Sequence, residues 1–370
     1  MTRRNRIRPL RFVSLLSFLL LALGIAPARA DQSQLINAKL ETRAVNQNLE
    51  SSVQQLAAES TQPTWIAYEV QATASNHSQC CGEFRNGHPE SCGVCNLEQR
   101  HGNTFVDDEQ NKTVKLEAQP EVTILLRVDQ KHVMRIRMAS VHCTLDAGGL
   151  RVVWLTGVKP GESAALLTPF VTGKSTLTSE GEDLREQALG AIAQHADPSA
   201  DRILASFLAQ DQPASLREKT SFWLGASRGK SGLALLETMA KNDPDPDVRA
   251  KVVFALFVSH EPEAVDDIIH MAKDDESTHV RGQALFWLAQ KAGQKASATI
   301  TGAIQNDPDT EVKKKAVFAL SQMPKDEGVP KLIEVAQNNR NPEVRKQAMF
   351  WLGQSNDPRA LAFFEKILSQ

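Results

Sequence analysis

Six residues, Leu184, Leu216, Val248, Val280, Val312 and Val344, stand 32 apart without a slip. Each opens nearly the same run, from Leu216-Arg217-Glu218-Lys219-Thr220-Ser221-Phe222-Trp223-Leu224 to Val344-Arg345-Lys346-Gln347-Ala348-Met349-Phe350-Trp351-Leu352. A fixed period of this size means a stack of supersecondary units, each unable to bury its apolar face alone. With the opening residue as position 0, position 8 is Ile192, Leu224, Leu256, Leu288, Leu320 and Leu352. Positions 0, 4, 7 and 8 make one stripe at helical spacing. A second stripe follows a short polar turn, at Leu204, Leu236, Ile268, Ile300, Leu332 and Phe364. Asp243-Pro244-Asp245-Pro246, Asp307-Pro308 and Asn341-Pro342 punctuate the units, ending one helix and favouring the start of the next. Each unit therefore reads as helix, turn, helix, turn.

Three features inside the period carry further expectations. Position 6 is Phe222, Phe254, Phe286, Phe318 and Phe350, with Gly190 in the first unit. It points away from the stripe, so the far half of each first helix is apolar nearly all round, which predicts burial on several sides. Gly190 is the departure expected of a capping unit. Position 7 alternates Ala191, Trp223, Ala255, Trp287, Ala319, Trp351, a period of 64 that suggests duplication of a pair. Such a tryptophan ladder either grips a ligand or, as its place on the stripe favours, packs the core. Position 1 is Arg185, Arg217, Arg249, Arg281, Lys313 and Arg345. Such a basic row either binds an acidic partner or, more simply, makes weak, exposed pairs with acidic turn residues such as Asp183, Asp247, Glu311 and Glu343 or their neighbours. Ala296 to Gly302 in the fourth unit form helix poorly, so a bend or thin spot is expected there.

The run Val-Arg-Lys-Gln-Ala-Met-Phe-Trp-Leu-Gly with its Asp-Pro turns resembles HEAT repeats of the short bacterial type, similar to those of phycobilisome-lyase-like proteins. The resemblance covers 187 of 370 residues, 184–370, as six helix pairs. It implies an all-α solenoid whose second helices line the concave face, and an interaction surface rather than an active site. On those helices the polar positions Asp266, Asp267, His270, Lys331 and Glu334 are the candidate contact residues. No lyase motif carries over.

Ahead of the repeats the chain changes character. Arg3, Arg4, Arg6, Arg8 and Arg11 precede an apolar run from Phe12 to Ile25, too short for a typical span, and Ala28-Arg29-Ala30 fits a cleavage site. Residues 1–30 read as a signal peptide, placing the protein in the periplasm, cell envelope or extracellular space. Cleavage removes six of the 42 basic residues, leaving 36 against 44 acidic ones. An acidic exported chain is a poor partner for nucleic acid, and no later stretch could span a membrane.

Residues 31–171 read as a small α+β domain. Leu35 to Ala57 at mostly helical spacing predict one amphipathic helix or two short ones over 34–58. Trp65–Val70, Val122–Val128, Val133–Met138, His142–Leu145 and Leu150–Leu155 predict a mostly antiparallel sheet, with the alternating Val133–Met138 strand wet on its basic side. A linker is expected at 172–183. Between the strands, the loop 72–112 holds Cys80, Cys81, Cys92 and Cys95, with Cys143 following in a strand. In an exported chain these are disulfide candidates. Adjacent Cys80 and Cys81 fit a zinc tetrahedron badly, and Cys92-Gly93-Val94-Cys95 lacks the helix start of a redox pair. No catalytic constellation and no cofactor motif stands out. The chain therefore reads as an exported protein-binding scaffold; the alternative is a metal-binding or redox enzyme with its site in residues 77–101.

Overall fold

The computed structural model describes residues 34–73, 84–85, 88–89, 95–98, 121–141, 143–178, 184–291 and 294–369. The signal segment and the loop positions Cys80, Cys81 and Cys92 lie outside the described residues.

The N-terminal part is a three-layer sandwich. Its central sheet orders β2 (Lys39–Ala44), β10 (Arg151–Thr156), β3 (Thr64–Gln71), β7 (Glu121–Asp129) and β8 (His132–Ser140). The expected antiparallel pairing holds for β3, β7 and β8, whereas β10 runs parallel to both β2 and β3, so the sheet is mixed. Side chains alternate across it with the two-residue period of a strand. Ile66, Tyr68, Ile124, Leu126, Val153 and Leu155 face one core with the helices α1 (Leu49–Glu59) and α2 (Pro160–Thr172). Trp65, Ala67, Leu125, Val152 and Trp154 face a second core. That core is closed by the small parallel sheet of β1 (Gln34–Ile36), β9 (Thr144–Asp146) and β6 (Cys95–Asn96). A two-residue ladder of β4 (Phe84–Arg85) and β5 (His88–Pro89) stands apart.

Two expectations change here. The helix predicted over 34–58 exists only as α1, capped by Asn48, whose side chain accepts from the Ser51 N–H. Asn37 and Gln47 adopt left-handed backbone at φ 50° and 61°, which stops a helix on both sides of β2. Pairing with β10 then decides for strand. The basic side of β8 is covered rather than wet. The Arg135 guanidinium donates to the Leu97 carbonyl at 2.9 Å, and Arg127 forks onto Glu98 at 2.9 and 3.0 Å.

The repeats follow as twelve helices. The first helices are α3 (Arg185–Gln194), α5 (Ala214–Ser227), α7 (Pro246–Val258), α9 (Thr278–Lys291), α11 (Thr310–Gln322) and α13 (Pro342–Gln354). The second helices are α4 (Pro198–Ser206), α6 (Gly229–Asn242), α8 (Ala264–Asp274), α10 (Gln294–Asn306), α12 (Lys325–Asn338) and α14 (Pro358–Leu368). Asp197, Asp245, Asp309, Asn341 and Asp357 cap helices, each accepting from a backbone N–H of the first turn. The weak stretch in the fourth unit does not bend the stack: α10 is a full 13-residue helix. Its compromise is chemical. Ser297 and Thr301 bury hydroxyls without partners, and Ser297 occupies the place held by buried Leu233 in the second unit and Val329 in the fifth.

Sandwich and repeats share one continuous apolar core, and residues 33–370 form one compact unit. Leu166, Leu167, Phe170 and Val171 of α2 pack into it. The outer edge of β8, an unpaired row that would otherwise template association, is closed by the Gln187 side chain of α3, which accepts from Ile136 N–H at 2.9 Å, and by Leu177, whose carbonyl accepts from Val133 N–H at 2.7 Å.

Candidate binding surface

The odd helices present two ladders. The first is buried. Arg217 forks onto Asp243 at 2.8 and 3.0 Å, Arg249 onto Asp275 at 2.8 and 2.9 Å, and Arg281 onto Asp307 at 2.8 and 3.1 Å. Each pair ties the start of a first helix to the end of the second helix in the same unit. The remaining guanidinium N–H reaches a turn carbonyl, as Arg249 does at Asp243 and Arg281 at Asp275. The aspartate in turn accepts a backbone N–H two residues on, at 2.8–3.0 Å. The side chains are 3–13% exposed, so these are buried, charge-assisted forks. Of the expected partners, Asp247, Glu311 and Glu343 do not take this role, and Asp183 lies outside the described residues. The aspartate lies four residues earlier, where the helix end brings it against the arginine. Donating to these aspartates holds each guanidinium pKa above its ordinary value.

The second ladder is aromatic and lies at the surface. Trp223 meets Phe222 edge-on at 5.3 Å, and Phe222 stacks on Phe254 of the next unit at 6.1 Å. Phe254 meets Trp287 at 4.8 Å, and Trp287 meets Phe286 at 5.0 Å. Phe286 stacks on Phe318 at 5.9 Å, and Trp351 sits between Phe318 and Phe350 at 4.9 and 5.0 Å. The rings form an unbroken row from the second unit to the sixth. Offset and edge contacts of this kind add about 0.5–1.5 kcal/mol each beyond burial. The predicted burial on several sides fails here. Phe222, Phe254, Phe286 and Phe318 are half-buried and Phe350 is 54% exposed, because position 6 points between neighbouring helices towards solvent.

The two-unit alternation now has a physical reason. Trp287 and Trp351 each reach back over the phenylalanine of the preceding unit. Trp223 reaches back over Gly190, where a Cβ would lie 2.6 Å from its ring. Gly190 thus makes room for Trp223. Gly225 likewise admits the Ala255 backbone, which a Cβ would strike.

The polar residues singled out on the second helices fall in two groups. Asp266, Asp267 and His270 sit on α8, and Lys331 and Glu334 on α12, with α10 between. Asp266 pairs with Lys295 at 2.9 Å and His270 faces Asp274 at 3.6 Å, all well exposed. Asp267 is half-buried, and burial followed by the nearby Glu237 raises its carboxyl pKa.

A third cluster was not anticipated from sequence. Tyr68 of β3, Ser163 of α2 and His195 after α3 are fully buried in one chain of hydrogen bonds. His195 Nδ1 lies 2.8 Å from the Ala191 carbonyl and must donate to it. Nε2 therefore accepts from Ser163, also at 2.8 Å, which leaves Tyr68 as donor to Ser163 at 2.9 Å. Burial lowers the imidazole pKa to about 4. A serine–histidine contact can activate a nucleophile. This one is sealed from solvent and oriented by a carbonyl rather than a carboxylate. It pins sheet, α2 and first repeat together. Arg228 seals the same joint from α6's start, donating to the Ala193 and His195 carbonyls and pairing with Asp201 at 2.7 Å.

Of the cysteines, Cys95 and Cys143 are described; both are buried and disulfide-bonded. Among the described residues no group of three or more His, Cys, Asp or Glu could hold a metal ion, and no helix is long and apolar enough to cross a membrane.

Paired helices stacked through a continuous core define an α-solenoid. The family model for HEAT repeats matches residues 232–320 and 297–370, and that part of the chain is a HEAT-repeat array. Solved structures similar to the chain include human deoxyhypusine hydroxylase in complex with glycerol, at 17% identity over 56% of this chain and 90% of that one, with a TM-score of 0.27. The complex of CpcE and CpcF of phycocyanin lyase from Nostoc matches at 22% identity over 42% of this chain and 99% of that one, TM-score 0.32. The condensin Cnd3–Cnd2 subcomplex of S. pombe matches at 18% identity over 53% and 27%, TM-score 0.34. No curated protein sequence matches the chain.

Proposed function

We propose that this protein is an exported, non-catalytic interaction scaffold whose working surface is the aromatic row on the odd helices. The observation that carries the reading is the unbroken line of rings with its edges in solvent. A contiguous apolar surface of that kind, rimmed by polar residues, marks a protein-binding site. Export rests on the basic and apolar run of residues 3–25 with its Ala28-Arg29-Ala30 site. The disulfides at Cys95 and Cys143 support it, because such bonds persist in oxidising compartments. As disulfide sulfurs these two offer no thiolate to a metal, which weighs against the metal-binding alternative.

The test has two arms. Sequencing of the mature N-terminus after expression is expected to begin at Asp31, in the exported fraction; an intact Met1 chain in the cytoplasm would end the export reading. A photo-reactive amino acid placed at Phe350 is expected to cross-link a discrete protein, and one placed at His270 is not. The reverse pattern would move the working surface to the even helices.

A further inference from the structure

We propose that the face of α9, α11 and α13 seats an extended, acidic peptide segment of a partner protein, with its apolar side chains on the phenylalanine row and its carboxylates towards Lys315 and Lys346. This rests on the scaffold reading and names the partner's chemistry.

The argument begins with helix geometry. At 100° per residue, positions 3, 6 and 10 share one face, and at 1.5 Å rise they form parallel rows about 5–6 Å apart. Position 6 supplies Phe286, Phe318 and Phe350. One turn before the rings stand Lys315 at position 3 and Lys346 at position 2, ahead of Phe318 and Phe350 on their own helices, with Lys251 at position 3 of the third unit, whereas position 3 of α9 and α13 is Gln283 and Gln347; all three lysines are exposed and none takes part in an ion pair among the described residues. Lys315 lies across Gly282 of the preceding unit, where any Cβ would strike its stem, so its charge is held beside the ring row. On the other side run Gln290, Gln322 and Gln354, all exposed. A primary amide both donates and accepts, which suits the free N–H and C=O groups of an extended backbone.

The balance of charge selects an acidic occupant. The acidic residues at the starts of α11 and α13 have a cation beside them: Lys314 pairs with Glu311 at 2.8 Å and lies in the field of Glu343. The uncompensated charge nearest the rings is positive.

A side-chain anchor adjoins the glutamine row. A cavity of about 150 Å³ between α11, α12 and α13 is lined by Leu320, Met323, Val329 and Leu332, with Gln322 and Gln354 at its polar side. Trp351 also lines it, and the indole N–H there is buried without an acceptor. The pocket suits one aliphatic side chain, with a peptide oxygen supplying the missing acceptor.

Fluorescence anisotropy on the mature full chain tests this with four probes. They are a peptide alternating Asp or Glu with Leu, the same peptide with Lys for each acid, the same with Ser for each Leu, and a single-stranded oligonucleotide. The acidic, Leu-containing peptide is expected to bind best, and to weaken as salt rises. Lys315→Glu with Lys346→Glu, two exposed changes that leave the thermal unfolding curve in place, is expected to weaken it about tenfold or more and to improve the lysine peptide. Equal binding of the serine or lysine peptide, tighter binding of the oligonucleotide, or no change in the double variant would overturn the proposal. If all peptides fail while Phe350 still cross-links a folded protein, the peptide inference falls and the scaffold reading stands.

Discussion

At the start of an odd helix an arginine is forked onto an aspartate out of reach of water; less than two turns later, on the same helix, a phenylalanine of the same period lies half in solvent. Both rows repeat every 32 residues, so repetition alone does not separate structure from surface. Their partners do. The arginine closes its own unit, first helix to second, and each fork is complete without the neighbours' side chains. The phenylalanine makes its contacts across units, so each ring depends on the next and the last one, Phe350, is left exposed. The fifth unit shows how strict the first row is. Lys313 replaces the arginine and Asn339 replaces its aspartate together. Asn339 still accepts the Asn341 N–H at 2.9 Å, and Lys313 donates to the Gln305 carbonyl instead. The turn is kept and the charge pair is dropped whole, as expected where a lone buried charge is costly.

The largest effect should therefore come from splitting a fork. Asp307→Ala strands Arg281 and should destabilise the protein by about 3–5 kcal/mol in urea unfolding. The pair Arg281→Lys with Asp307→Asn, copying the fifth unit, should cost less than half as much. A loss below about 1 kcal/mol for Asp307→Ala would mean that the forks are solvated and the contrast between the rows is false.

The buried joint predicts a pH dependence. Unfolded, His195 titrates near 6.5; folded, burial holds it neutral down to about 4. Above pH 6.5 both states are neutral and the group contributes nothing to the slope. Between 6.5 and 4 only the unfolded chain takes up the proton, so stability falls as pH falls, by about 3 kcal/mol in all. His195→Gln should flatten this part of the curve. An imidazole NMR signal from His195 that titrates near 6.5 in the folded protein would contradict the joint directly.

A smaller effect tests why the rings alternate. Gly190→Phe restores the missing member of the phenylalanine row, yet it should destabilise by about 1–3 kcal/mol, because Trp223 already fills the site. Combined with Trp223→Ala the cost should shrink. If Gly190→Phe alone is neutral or stabilising, the glycine is a cap feature as the sequence suggested, and the packing account of the 64-residue period fails.

The solenoid was legible because a helical stripe repeated six times leaves few alternatives. Burial within it was less so. Position 6 lies off the stripe, and from one helix alone an apolar off-stripe residue reads as core; only the spacing of neighbouring helices shows that it reaches solvent. The forks were misassigned because the acidic residues beside each arginine in sequence are on its own helix, whereas Asp243, Asp275 and Asp307 arrive from the end of the next one. In the sandwich, the hydrophobic pattern of 34–44 is compatible with helix, and pairing with β10 more than a hundred residues away decides otherwise. α2 did carry its signals, Pro160 at the first turn and Gly173 in left-handed conformation at φ 70° just past the end. The joint at His195 gave none: its three members come from three distant segments, and no spacing links them.

The same contrast separates the two surfaces of the array. Sequence favoured the even helices as the contact face, through Asp266, Asp267, His270, Lys331 and Glu334. On α8 the exposed members have local partners, Asp266 in Lys295 and His270 in Asp274, whereas exposed Glu334 on α12 has none among the described residues. Where a surface charge already has a partner, little is gained by meeting another protein, since the new pair must first break the old one. Exposed pairs contribute about 0–1 kcal/mol, so Asp266→Ala should shift the unfolding midpoint barely and leave cross-linking at Phe350 intact. Phe350→Ser should be nearly as mild in unfolding, its ring touching Trp351 alone among the described aromatics, yet abolish partner capture by a cross-linker moved to Phe318. If instead Asp266→Ala removes the partner and Phe350→Ser does not, the even helices are the working face and the ring row is packing that happens to reach the surface.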